Sequence, residues 1–237
     1  MSSWFLAIFA TIQPAKPAEL LVAAASDAVR LEQSLGEGFR KAVGVRIRFV
    51  FGSSGMLARQ IENGAPYDVY LSANERFVRD LAASGRIDPA TVRVYALGRV
   101  AVWSKSGPVK SLAAVESLRR LALANPAHAP YGVAARQALE KQGLWQRVEP
   151  RVVYAENVRQ ALQFAESGNV DAAITAWSLV FDRGGVLIPA EFHEPIRQGA
   201  GVVVSSRSRD LAARFLDFLM SKDGQARLGR NGLFPPE

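Results

Sequence analysis

Four short stretches place small or hydroxyl side chains where an apolar run gives way to an amphipathic one. They are Ala25-Ser26-Asp27, Gly52-Ser53-Ser54-Gly55, Ala129-Pro130-Tyr131-Gly132 and Glu156-Asn157-Val158. The first N–H groups of a helix have no intrahelical partner, and the helix dipole favours negative charge beside them. Such an end holds an anion without any cationic side chain, and a serine there adds a neutral O–H donor. Four such ends meeting in one cleft would surround a small oxoanion with neutral donors. Taken singly, each reads as readily as an ordinary cap, because Ser and Asn are common N-cap residues. Recurrence at the carboxyl ends of strands, where open α/β sheets bind ligands, is what points to a site.

Other chemistries are poorly supplied. The chain has no cysteine, so disulfides, thiolate nucleophiles and Cys-based metal centres are excluded. Its two histidines, His128 and His193, are far apart in sequence. The first reads as a loop residue with a structural hydrogen bond, and the second is given no role. Gly52-Ser53-Ser54-Gly55 fails as a nucleophile elbow, because Met56 or Phe51 stands where a glycine is needed. There is no phosphate-binding glycine motif. Together these features argue against an enzyme. The 29 basic and 22 acidic side chains give +7, but the cations are dispersed and not interleaved with stacking aromatics. A nucleic-acid partner is therefore not expected; the excess charge suits the steering of anions. Trp103, Trp145 and Trp177 read as core or interlobe anchors.

The elements that must position the four stretches follow from periodicity. At 237 residues, 49% apolar and 22% charged, the chain has the composition of a soluble globular protein with a sizeable core. Residues 4–12 form an apolar run of signal-peptide rather than membrane-spanning length. Residues 1–18 therefore read as an export signal or N-terminal extension. Strands are predicted over 20–24, 45–51, 68–71, 100–104, 121–124, 152–155, 172–176 and 201–205. Helices are predicted over 26–43, 56–63, 74–84, 111–119, 131–142, 158–167, 210–220 and 223–230. This alternation is that of an α/β protein with mostly parallel sheets. With no flexible linker, the length suggests two lobes sharing chain crossings: residues 19–97 with 199–237, and residues 98–198.

The same residues resemble the periplasmic molybdate-binding proteins of ABC importers. The resemblance runs from about Glu19 to the end of the chain. Leu21-Val22-Ala23-Ala24-Ala25-Ser26 is similar to that family's first strand and first ligand serine. Phe51-Gly52-Ser53-Ser54-Gly55-Met56-Leu57-Ala58-Arg59-Gln60-Ile61 is similar to its second serine site and the following helix. Residues 64–74 resemble its GAPxDxxxSA segment, residues 125–132 its anion-facing loop, and Glu156-Asn157-Val158-Arg159 its next helix start. The resemblance implies a two-lobed type II binding-protein fold with the ligand cleft between the lobes. Ser26 and Ser54 would give hydroxyl and backbone donors from the first lobe, with Ser53 beside them. Tyr131 and Val158 would give backbone N–H groups from the second.

Two departures stand out. Some relatives carry a late-strand tyrosine on the anion, whereas this chain has Ala176 at that place. The Tyr131 hydroxyl is the expected substitute. Asp27 would oppose a dianion, so it is expected to point outward or to pair with a nearby arginine. If it faced inward, binding should tighten as it protonates. The implied ligand is molybdate or tungstate, held as an oxoanion with no side chain on the metal and no cofactor. Donors without an acceptor disfavour protonated phosphate, and cavity size alone separates sulfate. The implied partners are a membrane permease and its ATPase, the implied location is the periplasm, and a monomer is expected. Binding of sulfate or another small oxoanion is the nearest alternative, followed by a ligand-sensing or enzymatic bilobed domain.

Overall fold

The computed structural model describes residues 19–236; the proposed export signal lies outside them. Along the chain run β1 (Glu19–Ala25), α1 (Leu31–Val43), β2 (Arg46–Gly52), α2 (Ser54–Glu62), β3 (Val69–Ser72), α3 (Glu75–Ala83), β4 (Arg93–Gly98) and β5 (Val100–Trp103). There follow β6 (Leu121–Ala124), α4 (Pro130–Lys141), α5 (Trp145–Val148), β7 (Val152–Ala155), α6 (Val158–Glu166), β8 (Ala172–Ala176) and α7 (Trp177–Val180). The chain then completes β9 (Val186–Leu187), β10 (Ile196–Val202), α8 (Arg209–Met220) and α9 (Lys222–Arg230).

These strands build two sheets on one plan, in the orders β2-β1-β3-β10-β4 and β7-β6-β8-β5-β9. Each begins with a parallel trio, centred on β1 in the first sheet and on β6 in the second. Each continues through an antiparallel strand, β10 or β5. The sheets are thus mixed, with antiparallel pairing beyond the trio. The chain passes from the first sheet to the second between Gly98 and Val100 and returns before Ile196.

Apolar stripes explain the layers. Leu31, Leu35 and Phe39 recur along one face of α1 and are buried with Phe215 and Leu219 of α8 against the first sheet. Leu57, Ile61, Val78 and Leu81 bring α2 and α3 onto its other face. The second sheet has its own core, in which Ala134, Ala138 and Leu139 of α4 and Ala161, Leu162 and Ala165 of α6 cover the strands.

Three local readings change. Helix α1 starts at Leu31, and Ser26–Ala28 form a separate 3-10 turn with all three residues buried. Apolar periodicity alone does not register this break. Residues Leu112–Ser117 form a 3-10 helix whose buried Leu112 and Val115 lie three apart, the repeat of that helix. The return strand is Ile196–Val202 rather than 201–205, and β4, its partner, was not anticipated. Glycines lower the strand signal of β10, but they serve packing: a Cβ on Gly199 would come 2.7 Å from the Glu75 Cα.

Candidate functional site

The carboxyl ends of the two parallel trios face one another across a small cavity. From the first sheet it is lined by Ala25, Ser26 and Asp27 after β1, Gly52, Ser53 and Ser54 after β2, and Ala73 after β3. From the second come Ala129, Pro130 and Tyr131 at the start of α4, and Asn157 and Val158 at the start of α6. The cavity is small, and among the described residues no lysine or arginine lines it.

Ser54 is the first residue of α2, so its N–H has no intrahelical partner. Its Oγ accepts from the Ala73 N–H at 3.0 Å. With that acceptor role filled, the hydroxyl proton is left to donate elsewhere. The Ser54 carbonyl is held in turn by the Tyr70 hydroxyl at 2.7 Å. The Tyr70 phenol is pushed far above its usual range by burial, so it remains a donor. Ser53 is the N-cap of α2, yet its buried Oγ has no partner among the described residues.

On the other side Pro130 opens α4, where its missing N–H costs nothing, and Tyr131 follows as the second helical residue. Gly132 lets this turn sit on β6, for a Cβ there would fall 2.1 Å from the Ala124 carbonyl oxygen. Val158 opens α6 behind Asn157, whose side chain accepts from the Gln160 N–H. The Thr175 hydroxyl holds the Val158 carbonyl at 2.9 Å. The first turns of α2, α4 and α6 thus all line one cavity. His128 has a structural part. Its ring bonds the Glu156 carbonyl at 3.1 Å, and its own carbonyl accepts from the Gly55 N–H at 2.9 Å, tying the two sides together.

Asp27 is where the structure overturns expectation. It points inward, 1% exposed, and pairs with no arginine. Arg30, the cation nearest in sequence, forks onto Asp182 of the opposite side instead. Asp27 Oδ2 accepts from the Tyr131 hydroxyl at 2.9 Å and from Gln198 Nε2 at 2.6 Å. Gln198 is oriented by the Tyr95 hydroxyl on its Oε1, and Ser178 Oγ donates to the Asp27 carbonyl at 2.8 Å. Burial, only partly offset by the Gln198 and Tyr131 hydrogen bonds, pushes the Asp27 carboxyl up to about 6. The same contacts commit the Tyr131 hydroxyl, so it does not replace the missing late-strand tyrosine as a donor into the cavity. Gly98 makes room for it, as a Cβ there would lie 2.2 Å from the Tyr131 hydroxyl oxygen.

The structure therefore gathers Ser26, Asp27, Ser53, Ser54, Tyr131 and Val158 around one cavity. Ala176, buried at the end of β8, is not among its lining residues. Ser26 is present, but on a three-residue 3-10 turn that supplies no helix dipole. Sequence reasoning missed Ala73, Tyr95, Thr175, Ser178 and Gln198, the residues that orient the lining. Ala73 closes the GAPxDxxxSA segment but carries no side-chain donor to mark it, and the other four sit in no recognisable local motif. His193 lies away from the cavity, its Nδ1 on the Glu194 carbonyl and its pKa lowered by burial.

Among the described residues no cluster of acidic residues or histidines is suited to a metal ion, and no helix is long and apolar enough to cross a membrane. Comparison with known proteins places the chain among relatives. The chain is 32% identical to the molybdate-binding protein ModA of Rhodobacter capsulatus, over 89% of this chain and 86% of that one. It is 33% identical to ModA of Azotobacter vinelandii, over 86% and 85% respectively. The solved structure of the Azotobacter vinelandii periplasmic molybdate-binding protein superposes with a TM-score of 0.87 at 30% identity, covering 92% of this chain and all of that one. Residues 20–234 match the sequence pattern of one family across nearly the whole chain, and by that match the protein belongs to the bacterial extracellular solute-binding proteins.

Proposed function

We propose that this protein captures a tetrahedral oxoanion, molybdate or tungstate, and hands it to a membrane permease driven by an ATPase. The observation that carries the reading is the convergence of three helix starts and three serines from two sheets on one small cavity with no cation among the described residues of its lining. Donors of this kind match the oxygens of a dianion, and they match them without the high cost of desolvating a lysine or arginine. Ser26 and Ser54 are assigned as hydroxyl donors, Ser54, Tyr131 and Val158 as backbone donors. The relatives named molybdate-binding support the choice of anion.

Capture works by closure in this reading. Because β4 and β10 pair within the first sheet, the lobes divide at Gly98 and Ile196 rather than at 97/98 and 198/199. The described residues up to Gly98 with those from Ile196 form one lobe and residues 99–195 the other, with the crossings beside Gly98 and Pro195 as hinges. The closed form is held by contacts that need both lobes: Gly55 to His128, Tyr131 to Asp27, Ser178 to Asp27, and Arg30 to Asp182. An anion that bonds both lobes shifts the population toward that form, which the permease would read. The protein acts outside the cytoplasmic membrane, in the periplasm, and as a monomer. It binds its cargo and does no chemistry on it.

Sulfate is the closest rival, equal in charge and smaller. Competition of molybdate against a large excess of sulfate, followed by intrinsic fluorescence on the full chain, tests the choice. Molybdate should displace sulfate at substoichiometric levels. Equal affinities would retain the oxoanion site and remove the assignment to molybdate.

A further inference from the structure

Four buried side-chain polar atoms lack a hydrogen-bond partner among the described residues, and two of them, Asp27 Oδ1 and Ser53 Oγ, belong to residues that line the cavity. Buried polar groups are nearly always satisfied, so an unpartnered pair on the wall of a ligand cavity points at the ligand. In Asp27 the two carboxyl oxygens are sharply unequal. Oδ2 takes both donors, Tyr131 and Gln198, while Oδ1 takes none.

An ionised carboxylate and a dianion in one buried cavity repel strongly, because the low local dielectric leaves the charges unscreened. The repulsion would fall on a carboxylate that no cation among the described residues offsets. From α4 it faces the Tyr131 phenol, from β10 the neutral Gln198, from β4 the Tyr95 phenol behind Gln198, and from α7 the Ser178 hydroxyl on its main chain. Both phenols are held well above their usual range by burial and by Asp27 itself, so they stay protonated. Arg30 is turned away onto Asp182. A single proton resolves the conflict. Placed on Oδ1, it converts two repelling oxygens into a short charge-assisted O–H···O bond.

We infer that this cavity takes its oxoanion together with one proton, held between Asp27 Oδ1 and the nearest anion oxygen. The balance is simple: an ionised Asp27, a dianion and one proton from solution give a complex in which that proton bridges carboxyl and anion. No covalent bond to the central atom changes. Burial already brings the carboxyl into the range where such uptake is easy, and the bound dianion raises it further. The protonated Asp27 thereby joins the ring of donors, and it makes capture tighter on the acid side of neutral. This inference rests on the oxoanion reading above.

The test is calorimetric titration of the ligand-stripped full chain with molybdate at about pH 7.5, in two buffers of different ionisation enthalpy. The expected result is an uptake of about one proton per anion, and a Kd that weakens roughly tenfold per pH unit above about pH 7. Asp27→Asn should bring the proton count to zero, flatten the pH dependence, and bind no more weakly than the parent at about pH 7.5. Tight binding by the parent chain with no proton uptake would overturn the inference while leaving the oxoanion site intact. An unchanged pH slope in Asp27→Asn would overturn it too. If that variant does not fold, the parent's proton count decides alone. Failure of molybdate, tungstate and sulfate to bind anywhere between about pH 5.5 and 8.5 would overturn the oxoanion reading itself, and the inference with it.

Discussion

Ser26 and Ser54 follow neighbouring parallel strands that end level with each other, Ala25 opposite Gly52. Both face the cavity, and both precede a helix in the simplest reading of the chain. Their surroundings nonetheless differ in kind. Ser54 begins a nine-residue helix, and its hydroxyl is oriented by the Ala73 N–H. Ser26 sits on a three-residue turn beside a buried carboxyl. One end offers a helix dipole and neutral donors; the other offers a hydroxyl and a titratable acid. Serine at a strand end is therefore not one device. The backbone that follows it and the residue beside it decide what it can do to an anion.

Removing both serines should have the largest effect. Hydrogen bonds to charged groups contribute about 1.5–3 kcal/mol each, so Ser26→Ala with Ser54→Ala should weaken anion binding by at least a hundredfold in titration. The single variants sharpen the contrast. Ser54→Ala also leaves the buried Ala73 N–H unpaired and should lower stability by about 1–3 kcal/mol, whereas Ser26→Ala should hardly move it.

Asp27→Asn comes next, read as stability of the unliganded chain. The folded carboxyl is raised from 3.8 to about 6, so the folded state holds a proton that the unfolded state releases between these values. Stability therefore falls as pH climbs through that window, and the full cost, about 3 kcal/mol, is present above it. Urea unfolding should find Asp27→Asn more stable than the parent at about pH 8, with the gain vanishing towards about pH 4. A gain that persisted at the lower pH would mean that packing, not ionisation, is responsible.

Tyr131→Phe should act oppositely and less strongly. It deprives Asp27 Oδ2 of one of its two donors, costing about 1–3 kcal/mol at about pH 8 and less when the carboxyl is protonated. Arg30→Ala should matter least. The ion pair with Asp182 links the two sides but is partly exposed, 32% and 45% for the two side chains. Its loss should cost no more than about 1 kcal/mol and should be masked by salt.

Much of this arrangement is legible in the amino-acid order, because the parallel trios are short apolar runs and the helices after them carry clear stripes. Residues 121–124 and 172–176 read directly as buried strands and 152–155 as the strand beside them, since little but apolar continuity is needed to recognise them. Asp27 is the instructive failure. Its partners Tyr131 and Gln198 lie 104 and 171 positions away, so no local pattern announces that two donors will draw the carboxyl inward. The arginine expected to pair with it finds its own acid 152 positions along the chain. The break between Ser26–Ala28 and α1 is invisible for a related reason. It follows from burial of the turn against the far side of the cavity, a tertiary demand that periodicity does not encode.

The most direct test of the central claim is calorimetric titration of the ligand-stripped full chain with molybdate, tungstate, sulfate and phosphate in turn. The prediction is one-to-one, tight binding of molybdate or tungstate, with sulfate much weaker. Equal binding of sulfate, or silence from all four, would contradict it.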